Sequence, residues 1–392
     1  MKPVPAPQLV RYLPGMKIAL SCAGEGFGHV SRMVSFAQGL QGRYKLVFFA
    51  PRTVHAHIRR NLPEVELITI PHFHLAKVDD RISYPGTILQ NAAKAMSFRA
   101  DVRRIRNQLI SLRVAAVIND YEPYLPAACR AAGLPVLQVN HPGVVVRYPS
   151  LSPDAVAARI IARLMMGRAD RSLYVSFFNG DIGPILRDQL FASPITRGDY
   201  YVVYVKPSYK RKVVSVLRQL GITNYQLFPD AHRDFAAALA GCKGVITSAG
   251  HQTLSEAITL GKPVFAIPQR GQFEQRLNAR MLVESGWGMK GRFSNLGSSL
   301  SRFIAAIDSF PLHSAAAEYS SPGGVRFRFC NDRDLAVALI DAFVQEYAGK
   351  PAIQRLFMNL QYEVMRAYQR VTVQFRESQS ATGINLRSAI AS

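Results

Sequence analysis

Two stretches carry the residue types of a proton acceptor and of the carboxylate that would orient it. The first is Gly24-Glu25-Gly26-Phe27-Gly28-His29, which follows an apolar run and opens a helical pattern. The second is Val117-Ile118-Asn119-Asp120-Tyr121-Glu122-Pro123, at the end of another apolar run. A carboxylate on one imidazole nitrogen orients the ring while the other nitrogen takes a proton. If both runs are parallel strands, their C-terminal ends share one rim, and His29 can meet Asp120 there. A plainer reading stands beside this one. His29 could merely open a helix, and Asp120 or Glu122 could cap the helix that follows. The glycine spacing is GxGxGH, and the next strand ends in Ala50-Pro51-Arg52 with no acid for a ribose. Both facts exclude a dinucleotide fingerprint. Gly26 and Gly28 instead allow backbone amides to approach a ligand closely.

A third stretch, Ser248-Ala249-Gly250-His251-Gln252-Thr253-Leu254-Ser255-Glu256, runs from a strand into a helix. Small and polar residues at a helix start suit phosphate oxygens, because the first amides lack partners. Thr253 and Glu256 also have the spacing of a capping box, which needs no ligand. Spacing alone does not separate the two.

The elements that must position these groups alternate along the chain. Runs at 16–23, 44–50, 65–70, 115–120 and 135–140 read as buried strands, with helical spacing at 30–40 and 88–112 between them. The pattern restarts after residue 195, with strands at 200–207, 225–229, 244–249 and 263–268. Alternation of this kind means an α/β fold with parallel sheets covered on both faces. The expected domains are 1–195, 196–350, and a C-terminal helix and tail over 351–392. Residues 155–173 read as a basic amphipathic helix. Such a helix suits an anionic membrane surface, and equally suits packing on its own domain.

The chain has 392 residues and a formal net charge of +22. Of its 48 basic residues, 36 are Arg and 12 are Lys. The excess is spread over both halves, which fits an anionic substrate or membrane surface better than a nucleic-acid tail. Four cysteines without a CxxC pair argue against a disulfide framework or a zinc site. No apolar run approaches the length of a membrane span. The expected location is cytoplasmic, peripheral on the inner face of the membrane.

The order Ser248-x-Gly250-x-x-Thr253-x-x-Glu256, Gly261-Lys262-Pro263, Pro268, Glu274-Gln275-x-x-Asn278-Ala279 resembles the donor-binding signature of GT-B glycosyltransferases of families 1 and 28. These include the UDP-glycosyltransferases and the peptidoglycan lipid-linked GlcNAc transferase. The N-terminal GxGH and the run from Asp120 to Pro142 resemble the same group. The resemblance implies two Rossmann-like domains facing a cleft, with a C-terminal helix packing back on the first. It implies an inverting, metal-independent transfer from a nucleotide-sugar, expected to be UDP-linked, to a hydroxyl acceptor that is lipid or lipid-linked. No cofactor is expected. Ser248, Gly250 and Thr253 would face the diphosphate, Glu256 the ribose, Glu274 and Gln275 the sugar, and Phe228 the base. His29 would deprotonate the acceptor, with Asp120 behind it and Gly26 and Gly28 on the acceptor side. His251 departs from the pattern and stands either as an extra phosphate donor or as a surface residue. Lys206-Pro207-Ser208 replaces the usual glycine loop. Asp79-Asp80 lacks the form of a metal-binding DxD. The other readings are glucosylation of a modified base in nucleic acid and a non-catalytic nucleotide-sugar-binding module.

Overall fold

The computed structural model describes residues 15–74, 76–78, 81–230, 232–310 and 318–365. The expected tail beyond residue 365 and the pair Asp79-Asp80 lie outside them.

Six strands form the first sheet: β1 (Lys17–Cys22), β2 (Lys45–Ala50), β3 (Glu66–Thr69), β4 (Val114–Asp120), β5 (Val136–Asn140) and β6 (Arg171–Tyr174). Their order is β3-β2-β1-β4-β5-β6, and every pairing is parallel. The second sheet holds β7 (Tyr201–Tyr204), β8 (Tyr225–Phe228), β9 (Gly244–Thr247), β10 (Val264–Ala266) and β11 (Gly288–Lys290), in the order β8-β7-β9-β10-β11. These strands read as near-continuous apolar runs because helices cover both faces. Val245 and Ile246 of β9, for example, are fully buried and lie in clusters on opposite faces of the sheet.

The helices that matter for the site are α1 (Phe27–Leu40), α2 (Tyr84–Ser111), α3 (Tyr124–Ala132), α4 (Pro153–Met166), α5 (Pro207–Gln219), α6 (His251–Thr259), α7 (Phe273–Glu284) and α8 (Arg333–Tyr347). One expectation is corrected here. The basic amphipathic stretch at 155–173 is not one helix. Gly167, at φ +64°, ends α4, and Arg171–Tyr174 then joins the sheet as its edge strand.

The chain returns to its first half before residue 350. Ala336, Val337, Ile340, Phe343, Val344 and Tyr347 of α8 recur at helical spacing and join the core of the first sheet. The return therefore begins at Arg333, inside the stretch expected to belong to the second domain. The contact with α1 is close. A Cβ on Gly39 would come within 2.6 Å of Val337 Cγ2, so only glycine fits the crossing. Phe343 is 2% exposed, and its ring stacks on Tyr347 at 4.5 Å. Phe343→Ala is expected to cost about 3 kcal/mol or more, read as a lower urea midpoint. An unchanged midpoint would show that α8 does not anchor the first domain.

Candidate active site between the two sheets

In an open parallel sheet, ligands sit beyond the strand ends where the strand order reverses. In the first sheet the reversal lies between β1 and β4, and His29 and Asp120 lie beyond those two strands. Gly26, at φ +74°, lets the chain turn from β1 into α1. His29 Nδ1 then lies 2.7 Å from Asp120 Oδ1. Asp120 is completely buried, while the His29 side chain is 18% exposed at the cleft.

The question of which acid caps the following helix has a clear answer. Glu122 Oε2 accepts the Tyr124 amide at 2.8 Å, and Oε1 accepts the Leu125 amide at 3.1 Å. Glu122 also accepts the Ser21 hydroxyl at 3.0 Å and the Asn119 amide. Tyr121 makes the division of labour possible. Its φ of +61° is a conformation rare outside glycine, and it turns the chain between the two acids. Asp120 is thereby left to His29.

In the second sheet the order reverses between β7 and β9. Lys206 follows the first, and Ser248 to Thr253 follow the second. Gly250 is the N-cap of α6, and no side chain caps that end. The capping box of Thr253 and Glu256 is therefore not formed, and the first turn of α6 lines the cleft. The reading of His251 as a surface residue is also corrected. It is 6% exposed and stacks on His141 at 3.7 Å and on Phe177 at 5.5 Å. Burial holds it well below the usual histidine range, so the ring is neutral. Its Nε2 accepts the Phe177 amide at 3.2 Å, which puts the proton on Nδ1. That Nδ1–H and the Ser248 hydroxyl are buried without a partner among the described residues. Buried polar groups are seldom left so.

The two halves enclose a cleft of about 840 Å³. It is lined by Gly26, Gly28 and His29 from one side and by Phe228, Ser248, Gly250, His251, Thr253, Glu256, Glu274 and Gln275 from the other. Phe228 is 1% exposed and packs edge-on against Phe235. Glu256 is buried and already held by Arg187, with Nε–Oε1 at 3.2 Å and Nη2–Oε2 at 3.3 Å. Burial raises the Glu274 carboxyl above its usual range. Gln275 accepts the Gln269 amide at 2.9 Å.

Three cleft residues have no role in the sequence motifs: Arg32, His141 and Arg187. His141 crosses between the halves, its Nε2 3.0 Å from Asn278 Oδ1 on α7. Burial pushes its pKa down to about 3. Its position directly after a strand, in Asn140-His141-Pro142, was the available signal. For Arg32 the signal was its spacing of three from His29 on one helix. Nothing local marked Arg187, which lies far from Glu256 in sequence.

A family model described as glycosyl transferase family 1 matches residues 16–308. The chain belongs to that family. An uncharacterized glycosyltransferase of Methanosarcina mazei is 31% identical over 112 residues, 27% of this chain and 26% of the relative. The UDP-N-acetylglucosamine–N-acetylmuramyl-(pentapeptide) pyrophosphoryl-undecaprenol N-acetylglucosamine transferase of Mycobacterium avium is 30% identical over 210 residues, 51% of this chain and 50% of the relative. The chain thus spans between a quarter and a half of the curated relatives it matches. Among solved structures, Acinetobacter baumannii MurG superposes with a TM-score of 0.53 at 16% identity, covering 83% of this chain and 99% of that one. UGT2 of Phytolacca americana, complexed with UDP-2fluoro-glucose and pterostilbene, superposes with 0.53 at 15% identity, covering 89% and 99%. At such identities the likeness shows the fold, which is GT-B.

Burial pushes the Glu122 carboxyl up to about 7. The folded state then binds its proton more tightly than the unfolded chain, so stability falls as pH rises from about 4.3 to 7. The loss is on the order of 3 kcal/mol. Glu122→Gln should flatten that part of a stability–pH curve measured by urea unfolding. A slope equal to that of the unsubstituted protein would remove Glu122 as its source.

Proposed function

We propose that the protein is an inverting glycosyltransferase that moves a sugar from a UDP-linked donor to a hydroxyl acceptor. The observation that carries this reading is the pair of unpartnered donors, Ser248 Oγ and His251 Nδ1, at the uncapped start of α6. A diphosphate supplies the acceptor oxygens these groups lack, at a helix end that favours negative charge. Gly250 and Thr253 contribute backbone amides to the same anion. Lys206 and Arg187 line this side of the cleft and add positive charge, so this reading needs no metal.

His29 faces the donor from the opposite wall. Its Nδ1 is held by Asp120, which leaves Nε2 to take the acceptor proton. The acceptor oxygen attacks the anomeric carbon, the bond from that carbon to the phosphate oxygen breaks, and the nucleoside diphosphate leaves with the electron pair. One displacement inverts the anomeric centre. Glu274 and Gln275 would take the sugar hydroxyls, and Phe228 would lie near the base. Glu256 can reach the ribose only beside the arginine that already holds it.

For the acceptor, we infer a lipid or lipid-linked hydroxyl presented at a membrane surface. No helix among the described residues is long and apolar enough to cross a membrane. However, Val156, Ile160 and Leu164 make a stripe along α4 that is 37, 53 and 69% exposed, with Leu151 at 88% just before it. Arg163 and Arg168 are exposed beside that stripe. Apolar residues flanked by arginine suit an anionic lipid surface.

Thermal shifts with UDP-, GDP- and dTDP-sugars should single out the UDP series. With the best donor and a lipid extract, His29→Ala should lose transfer by about a thousandfold and still bind UDP. Ser248→Ala should weaken UDP binding by about fivefold or more, with little change in melting temperature without ligand. Full activity of the His29 variant would end the assignment of the base, and unaltered UDP affinity of the Ser248 variant would end that of the anion site.

A further inference from the structure

A buried arginine stands behind the His29–Asp120 pair, and neither the family pattern nor the sequence motifs give it a role. Arg32 is 3% exposed. Its Nε donates to Asp120 Oδ2 at 2.9 Å, and its Nη2 lies 2.8 Å from the same oxygen. Asp120 Oδ1 is left to His29 Nδ1 at 2.7 Å, and Arg32 Nη2 also lies 3.4 Å from that Nδ1. His29 and Arg32 are three residues apart on α1, so one helix face presents both to the end of β4. The Tyr121 ring lies parallel to His29, 6° apart in plane with centroids at 5.6 Å.

We propose that Arg32 is a positioning residue for the proton acceptor. It acts through Asp120 in two ways. Both of its N–H groups converge on one carboxylate oxygen, so the carboxylate cannot rotate, and the other oxygen stays aimed at His29 Nδ1. The proton therefore stays on Nδ1, and Nε2 keeps its lone pair toward the cleft. Arg32 also balances a charge that is wholly buried. A lone carboxylate in this place would hold the imidazolium firmly after transfer and slow the return of the base. Paired with Arg32, Asp120 orients the ring and still lets the proton leave. Tyr121, held at positive φ, lies parallel to the ring.

The other groups that face His29 do not replace this balance. His141 beyond β5 and His251 on α6 are kept neutral by burial. Burial likewise keeps the Tyr121 hydroxyl protonated and raises the Glu274 and Glu122 carboxyls, and Glu25 lines the same cleft. Arg32 is the cation in direct contact with Asp120 among the described residues.

The proposal rests on His29 being the base, and its test is chosen to separate the two. Histidine-labelled full-length protein is titrated by ¹⁵N NMR without donor or acceptor, and His29 is assigned with His29→Gln. The unsubstituted protein should show His29 in the Nδ1–H form. Arg32→Met should move the midpoint of His29 protonation up by about one pH unit, a tenfold gain in proton affinity. Arg32→Lys keeps the charge and loses the fork. It should hold the midpoint, mix the two neutral forms of the ring, and lower kcat about tenfold with KM unchanged. An unmoved midpoint and a pure Nδ1–H form in Arg32→Met would overturn the proposal. If that variant does not fold, a pure Nδ1–H form in Arg32→Lys overturns it. Failure of the transferase reading would appear elsewhere, as no turnover in the unsubstituted protein.

Discussion

A carboxylate with no exposure must be paired, and much of the first half of the cleft follows from that requirement at Asp120. The strand that carries it lies at the centre of its sheet, next to β1. Its partners come from the element that follows β1, the neighbouring strand, which opens at the same rim. Helix α1 supplies both, His29 and Arg32, from one face. The glycine turn before α1 brings that face to bear, and α8 braces the helix from outside through the Gly39 contact. The positive φ of Tyr121 keeps the neighbouring acid, Glu122, occupied with the start of α3. Local strain at one residue thus separates two carboxylates two positions apart, one held by the start of a helix and the other by His29 and Arg32.

The second half of the cleft is organised by neutral histidines. His141 from the first half stacks on His251 from the second, and each is hydrogen-bonded across the divide: His141 to Asn278, His251 to the Phe177 amide. Burial keeps both uncharged, so the contact packs like an aromatic pair and carries no buried repulsion. The stack has a second consequence. With Nε2 of His251 committed to an amide, its remaining proton lies on Nδ1, at the uncapped start of α6. Domain packing and the proposed anion site share one side chain.

Much of this was legible from residue types. The alternation of apolar runs and helical spacing is a consequence of sheets covered on both faces, so the strand count of the first half up to β5 followed from pattern alone. Boundaries were less legible. The stretch at 155–173 has continuous helical spacing, yet Gly167 and a place at the sheet edge divide it, because pairing with β5 satisfies a backbone that periodicity cannot see. His29 and Asp120 were legible because the strand-order rule places both on one rim. Arg187 was not, because it pairs with a residue 69 positions away and no local spacing announces it.

The sequence by itself determined the class of fold, the two strand-to-helix turns and the residue types offered at each. It also carried the family signature from Ser248 to Ala279. Those are properties of short segments, set by spacing, glycine placement and side-chain chemistry. Only the tertiary structure decided how the residues divide their work. It chose Glu122 for the helix start and Asp120 for the histidine, since that depends on the turn at Tyr121. It left the start of α6 uncapped and turned His251 from a surface residue into a buried donor. It also joined Arg32, His141 and Arg187 to a site that no local pattern assigned them. Each decision depends on contacts between segments far apart in the chain, and burial, charge compensation and hydrogen-bond partnership exist only once those segments meet.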